Sequence, residues 1–378
     1  MDIAIWGTGN VGRYVLKQIQ GNRDYQIRYF VDSNSLLYGT KIEGIEVISP
    51  EQLQETFAKE LDFVLVAFID SIYLYEKLLA MEIGRFGIVR NVVFEAHLAL
   101  EADLSQDKNI FWSDAPYCNR PILKKLETNV VDDCNLNCKG CSHFSNLFAH
   151  GEKIPFATFC QDLEQVAKHA YVYLFSLLGG EALLDDRIIE YMEFARKTLP
   201  DSEIQLITNG LLLHKKEADF FACCRDNNIK VVISGYRPTL LLKDKILDIL
   251  EKHNIIYSFR INVEEFGKNI DLTGTSNKEE AVKKCREHMC HFLRDGKLYK
   301  CPFEALGNTF FEHFHLGCHL DGGTGIYDED LDWHMLIEEL ENRPVDACRY
   351  CGKEEKIAWG IANVPALEDW VVRKEQGN

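Results

Sequence analysis

The feature that most restricts how this chain can fold is a group of three cysteines near its middle. Cys134, Cys138 and Cys141 form a C-x3-C-x2-C run directly after a predicted strand. Three thiolates on one tight loop can hold three corners of a [4Fe–4S] cluster and leave the fourth iron open to an added ligand. A structural zinc ion is the alternative, with His143 or His150 supplying the fourth ligand.

Strands and helices alternate before this motif. The N-terminal part has predicted strands at Asp2–Trp6, Gln26–Val31, Phe63–Phe68 and Val89–Phe94, and a predicted helix at Ser71–Met81. Continuous apolar runs such as Phe63–Phe68 are typical of strands buried in parallel sheets. The pattern predicts a small doubly wound α/β sheet, that is, a Rossmann-like domain.

A second α/β series begins near Leu126. Its predicted strands are Thr128–Val131, Tyr171–Leu178, Glu203–Thr208, Lys230–Ser234 and Ile256–Ile261. From about residue 280 the chain becomes irregular and rich in Cys, His, Gly and Asp. We therefore expect a Rossmann-like nucleotide-binding or sugar-nucleotide-binding domain at 1–102, a linker at 103–125, a catalytic core at 126–278 and a cysteine-rich domain at 279–378.

Glycine and polar residues follow the predicted strands of the second series. Gly179-Gly180-Glu181 closes the second strand, Asn209 follows the third, and Ser234 ends the fourth. Active sites of parallel barrels form at the carboxyl ends of the strands. The two glycines let the backbone approach a ligand closely, and the glutamate can bind an ammonium group.

The cysteine motif, its position after the first strand and the Gly-Gly-Glu sequence resemble the radical S-adenosylmethionine superfamily over residues 126–275. The resemblance implies a partial (β/α)6 barrel and a [4Fe–4S] cluster on Cys134, Cys138 and Cys141, whose open iron binds the amino acid end of S-adenosylmethionine (SAM). It also implies SAM contacts from Gly179, Gly180, Glu181, Asn209 and Ser234. One position departs from the family: the residue before the third cysteine is usually aromatic, and here it is Gly140.

In such enzymes the reduced cluster cleaves SAM, and the resulting 5'-deoxyadenosyl radical abstracts a hydrogen atom from the substrate. The resemblance thus implies a small electron-donor protein of the flavodoxin or ferredoxin type. Tyr236, Arg237 and Arg260 lie near predicted strand ends and are candidate catalytic residues. A structural role is the alternative for each of them.

A second group of cysteines lies in the C-terminal part: Cys285, Cys290, Cys301, Cys318, Cys348 and Cys351. Asp295-Gly296 is typical of a hairpin turn, which predicts Cys301 on the returning strand. The C-x10-G-x4-C spacing followed by C-x2-C resembles the twitch domain, the short form of the SPASM domain. This implies one auxiliary [4Fe–4S] cluster on Cys285, Cys301, Cys348 and Cys351, with Cys290 competing for the place of Cys285; zinc is the alternative.

The other cysteines are expected to have no cofactor role. Cys318 is a spare thiol or a further ligand, and packing roles are expected for Cys118, Cys160, Cys223 and Cys224.

The N-terminal domain carries a dinucleotide-binding fingerprint. Gly7-x-Gly9-x-x-Gly12 lies between a strand and a helix, and Asp32 ends the next strand. A diphosphate would bind at the helix N-terminus and Asp32 would bind a ribose hydroxyl. The segment 39–50 resembles small Rossmann-like modules found beside sugar-modifying enzymes, where the ligand can be a nucleotide sugar. NAD as a redox partner and a purely structural domain are the alternatives.

The amino-acid composition argues against some classes of binding partner. Acidic residues outnumber basic ones by 59 to 42, a formal net charge of −17, which argues against a nucleic-acid partner. No apolar run is long enough to span a bilayer, and Met1–Gly7 lacks the features of a secretory signal. We expect a cytoplasmic protein.

Three functions follow from these patterns. The first is a radical SAM enzyme that dehydrogenates, dehydrates or epimerises a carbohydrate-type small molecule, either a nucleotide sugar or an aminocyclitol-like polyol. The second is a peptide-modifying radical SAM maturase, although the winged-helix module common in maturases is not evident. The third is a non-catalytic metal-binding scaffold.

Overall fold

The structure, a computed structural model, describes residues 1–20, 24–67, 72–89, 110–114, 120–260, 263–285 and 289–372. The chain forms two compact units, Met1–Asn119 and Arg120–Asn378, which are called unit 1 and unit 2 below. No helix in the described ranges is both long and apolar enough to cross a membrane.

Unit 1 contains one mixed sheet with helices. Its strands are β1 (Asp2–Trp6), β2 (Gln26–Val31), β3 (Lys41–Ile42), β4 (Ile45–Ile48), β5 (Phe63–Val66), β6 (Arg85–Val89) and β7 (Ile110–Asp114), and its helices are α1 (Asn10–Ile19), α2 (Pro50–Glu60) and α3 (Ile72–Ala80). In the described residues the strand order is β3-β4-β2-β1-β5-β6-β7. Strands β4, β2, β1, β5 and β6 are parallel to their neighbours, while β3 and β7 are antiparallel edges. The predicted doubly wound sheet is confirmed.

Strand β7 lies in the segment 103–125 that the sequence predicted as a linker. It pairs with β6 along its whole length, from Arg85↔Asp114 to Val89↔Ile110. Polar residues and prolines flank Ile110-Phe111-Trp112, so the local sequence pattern does not indicate a strand here. The strand is stabilised by pairing with a distant segment, which the local pattern does not show. The residues 90–94 of the predicted strand Val89–Phe94, and Cys118, lie outside the described residues.

Unit 2 contains a larger sheet that is mostly parallel. Its strands are β8 (Ile122–Val131), β9 (Tyr171–Gly179), β10 (Glu203–Thr208), β11 (Ile229–Ser234), β12 (Tyr257–Arg260), β13 (Glu265–Ile270), β14 (Cys290–Arg294), β15 (Lys297–Tyr299), β16 (Thr324–Gly325) and β17 (Cys351–Ala358). Its helices are α4 (Phe156–His169), α5 (Ile188–Thr198), α6 (Ala218–Asp226), α7 (Arg237–Leu240), α8 (Lys243–Lys252), α9 (Lys278–Lys284), α10 (Pro302–His313) and α11 (Trp333–Asn342).

The strand order of this sheet in the described residues is β12-β11-β10-β9-β8-β14-β15-β16. All pairs from β12 to β14 are parallel, which confirms the predicted α/β class. The sixth parallel strand, β14, comes from the segment 279–378 that the sequence assigned to a separate cysteine-rich domain. Residues of that segment therefore complete the barrel sheet, and β17 pairs with β13 in a second, two-stranded sheet.

Strand β8 begins at Ile122, well before the predicted strand at Thr128, and it too enters the predicted linker. Its first half contains Lys124 and Lys125, which interrupt the apolar run. Both lysines are paired, Lys124 with Glu341 at 2.9 Å and Lys125 with Glu127 at 2.6 Å. Pairing with charges from elsewhere lets a half-buried strand carry lysines that resemble linker residues in the sequence.

The hairpin of the C-terminal part agrees with the expectation in one detail and differs from it in another. The Asp295-Gly296 hairpin turn forms as predicted and joins β14 to β15. However, Cys301 does not lie on the returning strand, because β15 ends at Tyr299 and Cys301 is the N-cap residue of α10. Pro302 explains the change, since proline is favoured at the first position of a helix and lacks the N–H that a strand uses.

Candidate functional site

Unit 2 has a cavity of about 910 Å³ at the carboxyl ends of its parallel strands. The loop after β8 and residues at the carboxyl ends of β9, β10, β11 and β12 line one side of it. Both groups of cysteines predicted from the sequence open onto it. The cysteines in its wall are Cys134, Cys138, Cys141, Cys285, Cys301, Cys348 and Cys351.

The cysteine loop 134–141 starts from a rigid point at the end of β8. Asp132 is fully buried and accepts hydrogen bonds from both Nη atoms of Arg294, at 2.8 and 2.9 Å, and from Asn129 Nδ2 at 2.8 Å. Arg294 ends β14, so the bidentate ion pair ties the loop to the neighbouring strand of the sheet.

The C-terminal segment 359–370 packs on the same loop. Lys139 N donates to Gly360 O at 2.9 Å, and Ala362 N donates to Asn137 O at 2.7 Å. The indole N–H of Trp370 donates to the carbonyl of Cys141 at 2.8 Å. We call residues 359–370 the C-terminal strap, because they hold the cysteine loop from outside the barrel.

Gly140 shows why this chain departs from the family at the position before the third cysteine. Its φ is +63°, and a Cβ atom there would lie 2.6 Å from the carbonyl oxygen of Asp369 and 2.8 Å from Ile357 Cδ1. The C-terminal strap and the end of β17 therefore occupy the space that an aromatic side chain would need. Aromatic rings approach the cysteines from another direction: Tyr236 and Trp359 stack at 5.2 Å and an interplanar angle of 13°.

Hydrogen-bond donors lie close to two of the three cysteine sulfurs of the loop. Cys134 Sγ accepts from Leu136 N at 3.4 Å and lies 3.7 Å from Asn209 Nδ2, and Cys138 Sγ accepts from Trp359 Nε1 at 3.3 Å. Burial raises the pKa of the Cys138 thiol to about 12, and it raises the pKa of Cys134 further. Cluster binding must therefore displace protons from these thiols.

This donor set fits a [4Fe–4S] cluster. Cluster thiolates are stabilised by N–H donors to sulfur and by burial, and both are present. The histidines considered as fourth ligands of zinc are engaged elsewhere on the loop: Nδ1 of His143 lies 3.2 Å from Asn129 Oδ1, and Nδ1 of His150 lies 2.6 Å from Asp133 Oδ2. Among the described residues, no three His, Cys, Asp or Glu side chains are grouped closely enough to hold a single metal ion.

The Gly-Gly-Glu sequence lies beside the cysteine loop. A Cβ atom on Gly179 would lie 2.0 Å from Val131 O, and one on Gly180 would lie 2.0 Å from Asp133 O. The missing side chains thus let the end of β9 pack directly against the start of the loop. Both glycines line the cavity, as a role in SAM binding requires.

Glu181 differs from its expected position. Its carboxylate is 1% exposed and accepts hydrogen bonds from Leu183 N at 3.1 Å, Thr208 Oγ1 at 2.7 Å and Asn209 N at 2.8 Å. It is not among the described residues of the cavity wall. The geometry gives Glu181 the structural role of joining the ends of β9 and β10, so its predicted contact with the SAM amino group stays a prediction.

The structure places most of the remaining candidate site residues in the cavity wall and one of them outside it. Asn209, Ser234, Tyr236 and Arg260 line the cavity, whereas Arg237 is exposed at the start of α7 and does not. Asn209 is held in place because its Nδ2 donates to Asn135 Oδ1 at 2.6 Å and its Oδ1 accepts from Leu211 N at 3.0 Å.

The four favoured auxiliary cysteines converge from separate elements. Cys285 follows α9, Cys301 precedes α10, Cys348 lies in the short 3-10 helix Asp346–Tyr350, and Cys351 begins β17. Burial, together with the nearby thiols of Cys348 and Cys285, raises the pKa of Cys351 to about 12. Burial also holds the pKa of Cys301 well above its usual range, with Cys351 and Cys285 as neighbouring groups.

Cys290, the competitor of Cys285, lies elsewhere. It starts β14, and its sulfur lies 3.2 Å from Nζ of Lys125, which lines the cavity, but Cys290 itself is not among the described residues of the cavity wall. Cys318 packs in an apolar cluster with its sulfur 3.6 Å from Leu316 O. Cys223 and Cys224 are in the barrel core and Cys160 packs against it, so the packing roles predicted for these three are confirmed.

The fingerprint of unit 1 forms a tight turn. A Cβ atom on Gly12 would lie 1.8 Å from Gly7 O, while Gly9 has open space around it. Asp32 is engaged within the turn, because its Oδ2 accepts from the hydroxyl and the N–H of Thr8 and its Oδ1 accepts from Asn34 N at 2.9 Å. The binding of a ribose hydroxyl by Asp32 stays a prediction.

Sequence reasoning missed the C-terminal strap. Trp359 and Trp370 contact the cysteine loop across more than two hundred residues of chain. No motif or spacing marks them, and only their type, a buried aromatic residue with one N–H donor, could have drawn attention to them.

Comparisons with known proteins agree with this geometry. Residues 127–279 match a family model described as a 4Fe-4S single cluster domain. A GTP 3',8-cyclase of Clostridium perfringens (strain SM101 / Type A) is 26% identical over 215 residues, which are 46% of this chain. The chain spans 64% of the length of that relative.

Solved structures with local likeness include BtrN in complex with AdoMet and 2-DOIA, at 14% identity and a TM-score of 0.38 over 62% of this chain and 94% of that one. They also include the UDP-D-quinovosamine 4-dehydrogenase from Vibrio fischeri, at 17% identity and a TM-score of 0.22 over 23% of this chain and 76% of that one. The family match, by contrast, covers all three cysteines of the loop and the strand ends that face them. On this evidence residues 127–279 are similar to a 4Fe-4S single cluster domain, in agreement with the resemblance of the cysteine loop and the Gly-Gly-Glu sequence to the radical S-adenosylmethionine superfamily.

Proposed function

We propose that this enzyme abstracts a hydrogen atom from a carbohydrate-type small molecule and oxidises it. The observation that carries the proposal is that both cysteine groups line a single cavity. When bound, the reduced cluster and SAM supply a 5'-deoxyadenosyl radical as the hydrogen-abstracting species. A second cluster in the same cavity would stand beside the substrate as an electron acceptor, which favours dehydrogenation over dehydration or epimerisation.

In this proposal each group of cavity residues has a separate role. Cys134, Cys138 and Cys141 hold the radical cluster, and the exposed backbone of Gly179 and Gly180 faces the amino acid end of SAM. Asn209 and Ser234, at the ends of β10 and β11, supply further polar contacts to SAM. Cys285, Cys301, Cys348 and Cys351 hold the auxiliary cluster. The closed packing around the cysteine loop keeps solvent away from the reactive species.

The charge of the cavity wall supports an anionic substrate. Three acidic residues line the cavity, Glu127, Glu280 and Glu354, against seven basic ones, Lys125, Lys268, Lys284, Lys300, Lys353, Lys356 and Arg260. Four of these lysines form ion pairs, Lys125 with Glu127, Lys268 with Glu355, Lys284 with Glu280 and Lys356 with Glu354, which leaves a smaller excess of cations in the cavity wall. It favours a nucleotide sugar over a cationic aminocyclitol.

A purine nucleotide is the second candidate substrate. The same cationic wall would suit it, and a relative at 26% identity is named a GTP 3',8-cyclase. The two candidates share the anionic nucleotide portion and differ in whether the reacting carbon belongs to an attached sugar.

The test is anaerobic incubation of the reconstituted protein with dithionite, SAM and separate panels of nucleotide sugars, aminocyclitols, GTP and peptides. We expect nucleotide sugars to stimulate formation of 5'-deoxyadenosine and to lose a pair of hydrogen atoms. Stimulation by peptides alone would instead support a maturase. Zinc in place of iron, with no cleavage of SAM, would support a non-catalytic scaffold.

A further inference from the structure

We propose that Trp359 is a positioning residue that sets the reduction potential of the radical cluster through a hydrogen bond to a cluster ligand. The inference rests on the proposed function, because it requires a cluster on Cys134, Cys138 and Cys141. Its basis is one contact: the indole Nε1 of Trp359 lies 3.3 Å from Cys138 Sγ.

The contact is shielded from water. Trp359 is 6% exposed and Cys138 is 7% exposed. Leu136 and Phe266 belong to the same apolar cluster. Burial limits the access of water to the sulfur, and the low local dielectric strengthens the interaction between the N–H dipole and a charged thiolate.

Trp359 is held in place by one ring contact and by two backbone hydrogen bonds. Its ring stacks on Tyr236 at 5.2 Å, and its backbone N–H donates to Glu264 O at 2.7 Å. The next residue, Gly360, accepts from Lys139 N on the cysteine loop at 2.9 Å. These contacts fix Trp359 against the loop, with its N–H directed toward the sulfur.

The direction of the effect follows from charge. One-electron reduction adds negative charge to a cluster and its thiolates, and an N–H donor stabilises that charge. Hydrogen bonds to cluster sulfurs accordingly raise the reduction potential. Removing this donor should make the cluster harder to reduce, and the enzyme must reduce it before SAM can be cleaved.

The experiment compares Trp359→Phe with Trp333→Phe in the full chain. Phenylalanine at 359 keeps a ring against Tyr236 and removes the N–H. Trp333 has the same 6% exposure but stacks on His169 at 5.1 Å and lies outside the described cavity wall, which makes it a matched control. The readout is the midpoint potential of the EPR signal that changes when SAM is added, measured by anaerobic redox titration.

We expect a more negative midpoint potential in Trp359→Phe and no shift in Trp333→Phe. An unchanged potential in a cluster-loaded Trp359→Phe protein would overturn the inference. If that variant loses the cluster, the same titration is made on a protein with benzothienylalanine at position 359, which keeps the shape of the indole and lacks the N–H. An unchanged midpoint potential in that protein would also overturn the inference. A wild-type protein without any SAM-responsive cluster signal would overturn the proposed function instead.

Discussion

At the residue scale, two neighbouring cysteines of the C-terminal part occupy different positions relative to the cavity. Cys285 lines the cavity beside Cys301, Cys348 and Cys351, while Cys290 contacts Lys125 on the neighbouring strand. The two are only five residues apart in the sequence, and Cys285 is the one that has the C-x10-G-x4-C spacing. The structure distinguishes them because β14 begins at Cys290 and pairs it with Lys125 of β8.

This predicts different iron contents for two serine variants. Cys285→Ser should lose the auxiliary cluster and fall from about eight to about four iron atoms per chain. Cys290→Ser should keep both clusters, since its thiol is not a ligand. Iron and sulfide analysis of anaerobically reconstituted protein provides the measurement, and the reverse pattern would exchange the two assignments.

At the element scale, the C-terminal strap and the cysteine loop depend on each other. The strap follows β17, and β17 starts at Cys351, so one stretch of chain runs from a candidate auxiliary ligand to the cysteine loop. At Gly140 the strap leaves no room for a side chain. The packing of this element therefore determines which residue the loop can tolerate.

Two glycine-to-alanine variants measure that packing. Gly140 and Gly151 both have positive φ values, +63° and +77°, but only Gly140 has neighbours within contact distance of a Cβ atom. Gly151→Ala should cost roughly 1–2 kcal/mol for the left-handed backbone alone. Gly140→Ala should cost about 1–3 kcal/mol more through overlap with Asp369 O, and it should speed iron loss to a chelator.

Thermal unfolding and the rate of iron release test this directly. Equal midpoints and equal release rates for the two variants would mean that the strap does not restrain the loop.

At the scale of the whole molecule, each unit has its own hydrophobic core. The core of unit 1 is built on β1, β2 and β5, and unit 2 has the barrel core and a second cluster around α10. All seven candidate cluster ligands belong to unit 2.

A chain that begins at Arg120 should therefore keep its iron content and its ability to cleave SAM. Its iron content and its formation of 5'-deoxyadenosine, compared with those of the full chain, check this expectation. A large loss of iron from the shortened chain would show that unit 2 does not fold independently.

Local patterns predicted much of this molecule. The alternation of apolar runs predicted both parallel sheets, and Cys134, Cys138, Cys141, Gly179 and Gly180 meet at one cavity as their order along the strands suggested. Features that depend on distant pairing were missed: β7, the first half of β8, and β14 as part of the barrel. Trp359 was missed for the same reason, because its partner Cys138 is 221 residues away.

The central claim is that the loop with Cys134, Cys138 and Cys141 carries a cluster that cleaves SAM. The most direct test is the amount of 5'-deoxyadenosine formed from SAM by the dithionite-reduced, anaerobically reconstituted protein and by its Cys141→Ser variant. We predict 5'-deoxyadenosine from the wild-type protein and only background from the variant. Equal formation by both proteins, or none by an iron-loaded wild-type protein, would contradict the account.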